Sequence, residues 1–104
     1  MGESNSHKRA KAQAAGPKGQ VEVKLPGNRR LDALTEKKVT ATEIERGGNL
    51  PALEKAAGRL KASKAPKKVL TVPQPDMPIA VQAMKQKQVH GRVTNLKGSR
   101  SQRV

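Results

Sequence analysis

The chain has 104 residues, of which 22 are Lys or Arg and 8 are Asp or Glu, for a formal charge of +14. One domain is all this length accommodates. The absence of aromatics leaves an aliphatic core and argues against base recognition by stacking, and the absence of cysteine excludes disulfides and thiolate zinc sites. No apolar run approaches the ~18 residues of a membrane span and no signal-peptide segment follows Met1, so a cytoplasmic, soluble protein is the expectation. Gly2 to Ser6 meets the loose myristoylation pattern, a short and common one.

In chain order, Ser4 or Ser6 is placed to cap a short alanine- and lysine-rich helix over 7–15, which Gly16-Pro17 ends. Val21, Val23 and Leu25 alternate with polar residues as in a half-buried strand. Pro26-Gly27-Asn28 reads as a turn and 29–34 as the returning strand of a hairpin. After a polar turn at 35–38, the β-branched segment VTATEIER (39–46) predicts a third strand, broken by Gly47-Gly48.

Asn49 suits a helix N-cap and Pro51 the first turn; Leu50, Leu53, Ala57 and Leu60 then form an apolar stripe at helical spacing. Gly58 costs that helix ~1 kcal/mol relative to Ala, which close packing on the sheet would explain. The apolar run 69–72 predicts a strand buried on both faces. Asp76 is the expected cap of a second amphipathic helix whose buried stripe is Met77, Ala80, Val81 and Met84. Residues 89–96 read as a final strand. The basic tail beyond it, 97–104, is expected to be mobile. The predicted organisation is a basic N-terminal segment (1–19), one α+β domain (20–96) and that tail. The order α-β-β-β-α-β-α implies a mixed sheet, with three antiparallel strands and a helical crossover to a parallel one.

Charge is the other signal. Five of the eight acids lie between Glu22 and Glu45, whereas 77–104 contains none. Strand alternation puts Glu43 and Glu45 on one face, and Asp32 sits on the preceding strand. In register, Asp32, Glu43 and Glu45 would present three hard oxygen donors suited to magnesium, with Arg30 or Arg46 neutralising a phosphate. The alternative is ordinary cross-strand pairing with Arg29, Arg30, Lys37, Lys38 and Arg46. The basic residues near the ends and the hairpin (Lys8, Arg9, Lys11, Arg29, Arg30, Arg92, Lys97, Arg100 and Arg103) are candidates for binding a nucleic-acid backbone, DNA or RNA. No phosphate-loop or nucleophilic-triad pattern is present.

The order α-β-β-β-α-β, with Asp32 on the second strand and Glu43-Ile44-Glu45 on the third, resembles the PD-(D/E)XK, or restriction-endonuclease-like, nuclease superfamily over residues 7–72. The resemblance implies a restriction-endonuclease-like topology, a magnesium site at Asp32, Glu43 and Glu45, phosphodiester hydrolysis with Arg46 as the nearest base, and a homodimer as a common assembly. Two positions depart from the motif: Leu31 stands where it has Pro, and Glu45 where it has Lys. The competing expectations are a non-enzymatic RNA- or DNA-binding protein, such as a small ribosome-associated factor, and an interaction module whose acid–base hairpin contacts another protein.

Overall fold

A computed structural model describes residues 5–104; Ser4 and most of the N-terminal acylation pattern lie outside them. The elements are α1 (Asn5–Ala15), β1 (Gln20–Leu25), β2 (Arg29–Leu34), β3 (Thr40–Ile44), α2 (Leu50–Ser63), β4 (Lys67–Val72), α3 (Met77–Gln86), β5 (Arg92–Asn95) and β6 (Ser101–Arg103). Over the described residues the fold is α+β, with three helices on a six-stranded mixed sheet.

Spatial strand order follows the sequence, β1 to β6. β1, β2 and β3 are antiparallel neighbours because short turns join them. α2 carries the chain back from β3 to a parallel β4, and α3 does the same from β4 to β5. β6 closes the edge antiparallel to β5. Both predicted crossover features, the helix after the third strand and the parallel pairing that follows it, are present.

The core lies between the sheet and the α2–α3 pair. Leu53, Ala56, Ala57 and Leu60 of α2 meet Ala80, Val81, Ala83 and Met84 of α3, over Leu70, Val72 and Val93 of the sheet. Asn49 caps α2 as its residue type requires: its Oδ1 accepts from the Ala52 N–H at 2.9 Å. Strand alternation sends the intervening residues Thr71 and Thr94 to the opposite face, where with Ile44 they line a cleft beside Ala10 and Ala14 of α1. α1 therefore covers the other face, and it does so over β1, β2 and β3.

Several local expectations are corrected. β3 ends at Ile44 rather than Arg46, because the chain turns into the Gly47-Gly48 loop. β4 is sealed on one face only: Leu70 and Val72 are buried, whereas Val69 and Thr71 on the other face are half-buried. Asp76 makes no side-chain cap; it lies in a 3-10 turn over Gln74–Asp76 that leads directly into α3. Gly58 is not a close-packing glycine, since the nearest atom to a Cβ there is Arg29 Nη1 at 4.0 Å. Gly91 is a tight position instead: a Cβ would come within 2.2 Å of the Lys68 carbonyl oxygen, so its lack of a side chain lets β5 start beside β4.

The basic tail is not free. Residues 101–103 form β6, and Val104 exchanges two backbone hydrogen bonds with Gly91, at 2.8 and 3.2 Å. Val104 also packs against the core, giving the tail the apolar anchor that strand pairing needs. The turn before β6 is pinned by buried Asn95. Its amide donates to Gln74 Oε1 and Ser99 Oγ, and its Oδ1 accepts from the Arg100 N–H.

Candidate functional site: a carboxylate fork between two strands

β2 and β3 pair through backbone partners Ala33↔Thr42 and Leu34↔Ala41 and then part. The next residues in that register are Asp32 and Glu43. Here side chains replace the ladder: the Asp32 N–H donates to Glu43 Oε2 at 2.7 Å, and the Ile44 N–H donates to Asp32 Oδ2 at 2.8 Å. Each carboxylate satisfies a backbone donor of the other strand, which would otherwise be costly to bury.

β1 bends at the same level. Glu22 has φ 51°, and it interrupts the pairing between Val21↔Ala33 and Val23↔Leu31, opposite Asp32. Pairing on both sides of this pivot keeps one register, so neither strand has gained a residue. Leu31 and Leu34 both reach the α2–α3 core, three residues apart, which regular alternation would forbid.

Helices reach the fork from both faces. From α2, Arg59 Nε donates to Glu43 Oε1. Glu43 is only 1% exposed. Burial first, and then the neighbouring Asp32 carboxylate, push its carboxyl up to about 7, against the opposing pull of Arg59 and the Asp32 N–H. From α1, His7 and Lys11 stand four residues apart and so on one helix face. His7 Nε2 lies 3.9 Å from Asp32 Oδ1, and Lys11 Nζ lies 3.5 Å from Glu22 Oε2. Lys11 is itself buried, 3% exposed.

Of the residues expected to act together, Asp32 and Glu43 do meet. Glu45 is turned away: its Oε1 accepts from the Gly47 N–H at 2.7 Å while its own N–H donates to the Thr71 carbonyl of β4. Arg46 is exposed in the loop before α2. Glu22 and Arg59 were not among the expected site residues, and His7, expected to be a solvent-exposed polar residue, is partly buried beside Asp32. The spacing His7, Lys11, Ala15 was the available signal, a four-residue repeat on one helix face ending in a buried alanine.

The donor chemistry decides how these residues suit magnesium. Both oxygens of Glu43 and one of Asp32 already accept hydrogen bonds, and the third expected ligand points elsewhere. Among the described residues no group of three His, Cys, Asp or Glu side chains is arranged to hold a metal ion. In this arrangement the Asp32–Glu43–Glu45 set does not fit the octahedral oxygen shell that magnesium requires.

The basic candidates separate into groups. Lys8 and Arg9 are exposed on α1, but Lys11 is committed to Glu22. Arg29 and Arg30 are exposed at the start of β2, with Arg29 Nε donating to the Pro26 carbonyl across the hairpin turn. Arg92, Lys97, Arg100 and Arg103 are exposed on β5, β6 and the turn joining them, at the far edge of the sheet.

Comparison with protein-family models, with curated proteins and with solved structures gave no match. No helix of the described residues is long and apolar enough to cross a membrane.

Proposed function

We propose that the protein binds nucleic acid through its phosphate backbone, and that the carboxylate fork ties strands and helices together. The observation that carries this reading is the charge distribution: an excess of 14 positive charges, with exposed Arg92, Lys97, Arg100 and Arg103 in a stretch, 77–104, that contains no acid. Such a surface attracts a polyanion and releases its counterions on contact. Without an aromatic side chain, binding rests on phosphate and groove contacts through Lys and Arg and not on base stacking. The fork supports the structural role, because its acids are used to accept backbone N–H groups and Arg59.

A second reading has its own observation. Two acids brought together between parting strands, one of them raised to about 7 by burial and its neighbour, form the kind of perturbed pair that marks active sites. Together with the α-β-β-β-α-β order, this favours a magnesium-dependent phosphodiesterase of the restriction-endonuclease-like type. That activity requires Arg59 to leave Glu43 and a further ligand to join.

One experiment separates the two. Supercoiled plasmid and single-stranded RNA are incubated with the protein in magnesium or manganese, and in EDTA, alongside Asp32→Asn and Glu43→Gln variants of verified fold. Salt-sensitive binding with no cleavage, preserved in both variants, is the expected result. Metal-dependent nicking that both substitutions abolish supports the phosphodiesterase instead.

A further inference from the structure

On the face of β4–β6 beside and beyond α1 runs a line of cations that no acidic side chain of the described residues pairs with. On β4 and β5, Val93 and Asn95 are buried on the α2–α3 side, as are Leu70 and Val72. Alternation therefore puts Lys67, Val69 and Thr71, and Arg92 and Thr94, on the opposite face. Registers align these residues across three strands: Val69 pairs with Arg92 and Arg92 with Arg103, while Thr71 pairs with Thr94 and Thr94 with Ser101. Lys67, Val69, Gly91, Arg92 and Arg103 line one groove there.

Arg92 and Arg103 stand directly across a strand pair, a placement that ordinarily destabilises a sheet. Among the described residues, no acidic side chain lines the groove. The last acid of the chain, Asp76, is elsewhere, with its carboxylate against Gly48. Two opposed guanidiniums and a nearby ammonium become favourable together when an anion bridges them. The adjoining row adds hydroxyls, with Thr71 Oγ1 and Thr94 Oγ1 3.0 Å apart, and hydroxyls also donate to phosphate oxygens.

We infer that this face of β4–β6 is where a nucleic-acid strand docks, with Lys67, Arg92 and Arg103 gripping neighbouring phosphates and the Thr71–Thr94–Ser101 row lying alongside. The inference rests on the nucleic-acid reading above and narrows it to one surface, separate from both the fork and the basic residues of α1. Guanidiniums suit the two arginine positions because each offers a planar pair of donors to a phosphate.

The test is fluorescence anisotropy with a labelled 20-nucleotide single strand and the corresponding duplex, over a range of salt. The proteins are the full chain, Arg92→Gln/Arg103→Gln, Arg92→Lys/Arg103→Lys and, as a control elsewhere, Lys8→Gln/Arg9→Gln; circular dichroism verifies each fold. The expected result is that Arg92→Gln/Arg103→Gln weakens binding on the order of tenfold or more at low salt and makes the log K against log salt slope shallower by about 1.5 to 2. The lysine variant keeps most of the slope, and the α1 control stays close to the unsubstituted chain. If the α1 control loses binding while Arg92→Gln/Arg103→Gln does not, the docking face is wrong and nucleic-acid binding itself stands. If the unsubstituted chain binds neither probe, both readings fall. Binding to anionic phosphatidylserine vesicles in preference to the oligonucleotides would overturn the inference in favour of a membrane surface.

Discussion

The two halves of the sheet handle charge in opposite ways. Across β2 and β3, carboxylates are drawn inward: Asp32 and Glu43 replace missing backbone pairing and meet His7 and Arg59, while the more exposed Glu22 of β1 reaches Lys11. Across β4, β5 and β6, no acid is present, and Arg92 and Arg103 face each other in the open. Internal pairing uses up charge and fixes geometry, whereas unpaired like charge is a standing cost that a partner can relieve. The proposed docking face thus lies on one half of the molecule, while the other half uses ions to hold its strands.

Removing a charge from each half sharpens this contrast, and the largest effect is expected at Arg59. Arg59→Met leaves Glu43 buried without its cation and destabilises the fold by about 3 kcal/mol at pH 8. The loss is smaller at pH 5, where Glu43 is protonated. Urea unfolding at the two pH values reads this difference, and equal losses at both would break the ion-pair account.

Glu43 itself predicts a pH dependence. Its carboxyl titrates near 7 in the folded state against an ordinary 4.5. Between these values the unfolded chain has released the proton and the folded chain still holds it. The unfolded state therefore binds fewer protons, and the contribution of Glu43 to stability declines as pH rises through this window and levels off above it. The change is on the order of 3 kcal/mol. In Glu43→Gln the corresponding slope disappears, measured as the difference between the two unfolding profiles.

α2 packs on both β3 and β4 and so serves both halves. Gly58→Ala fills open space on that helix and is expected to stabilise the protein by about 0.5–1 kcal/mol, with nucleic-acid affinity unchanged. The smallest effect belongs to the basic edge. Arg103→Thr relieves the opposed arginines and is expected to raise stability by about 0.5 kcal/mol while weakening binding. A stabilising substitution that costs affinity is what distinguishes a binding residue from a structural one, and thermal melts beside anisotropy resolve the two.

Much of the architecture was legible because local chemistry specified it. Asn49 and Pro51 mark a helix start wherever they occur together before an apolar stripe, and the alternation of Val21, Val23 and Leu25 could only suit a strand. The fork was half legible. Asp32 and Glu43 were identifiable from strand spacing, but their use as backbone acceptors depends on where two strands part, which no local pattern records. Glu45 looked equivalent to Glu43 by alternation; it differs because β3 ends at Ile44 and the chain turns. Arg59 comes 16 residues after Glu43 and meets it only through the α2 crossover. The tail misled for a related reason: KGSRSQRV is polar throughout until Val104, and its strand depends on partners at Gly91 and β5.

The central claim, that the acid-free face of β4–β6 receives nucleic acid while the fork is structural, is tested most directly by amide chemical-shift mapping. A uniformly 15N-labelled sample is titrated with a 20-nucleotide strand at low salt. Shifts concentrated at Lys67, Val69, Gly91, Arg92, Thr94 and 101–103, with Asp32, Glu43 and Ile44 undisturbed, are the predicted result. Shifts centred on Asp32, Glu43 and Ile44, with β5 and β6 silent, would contradict it.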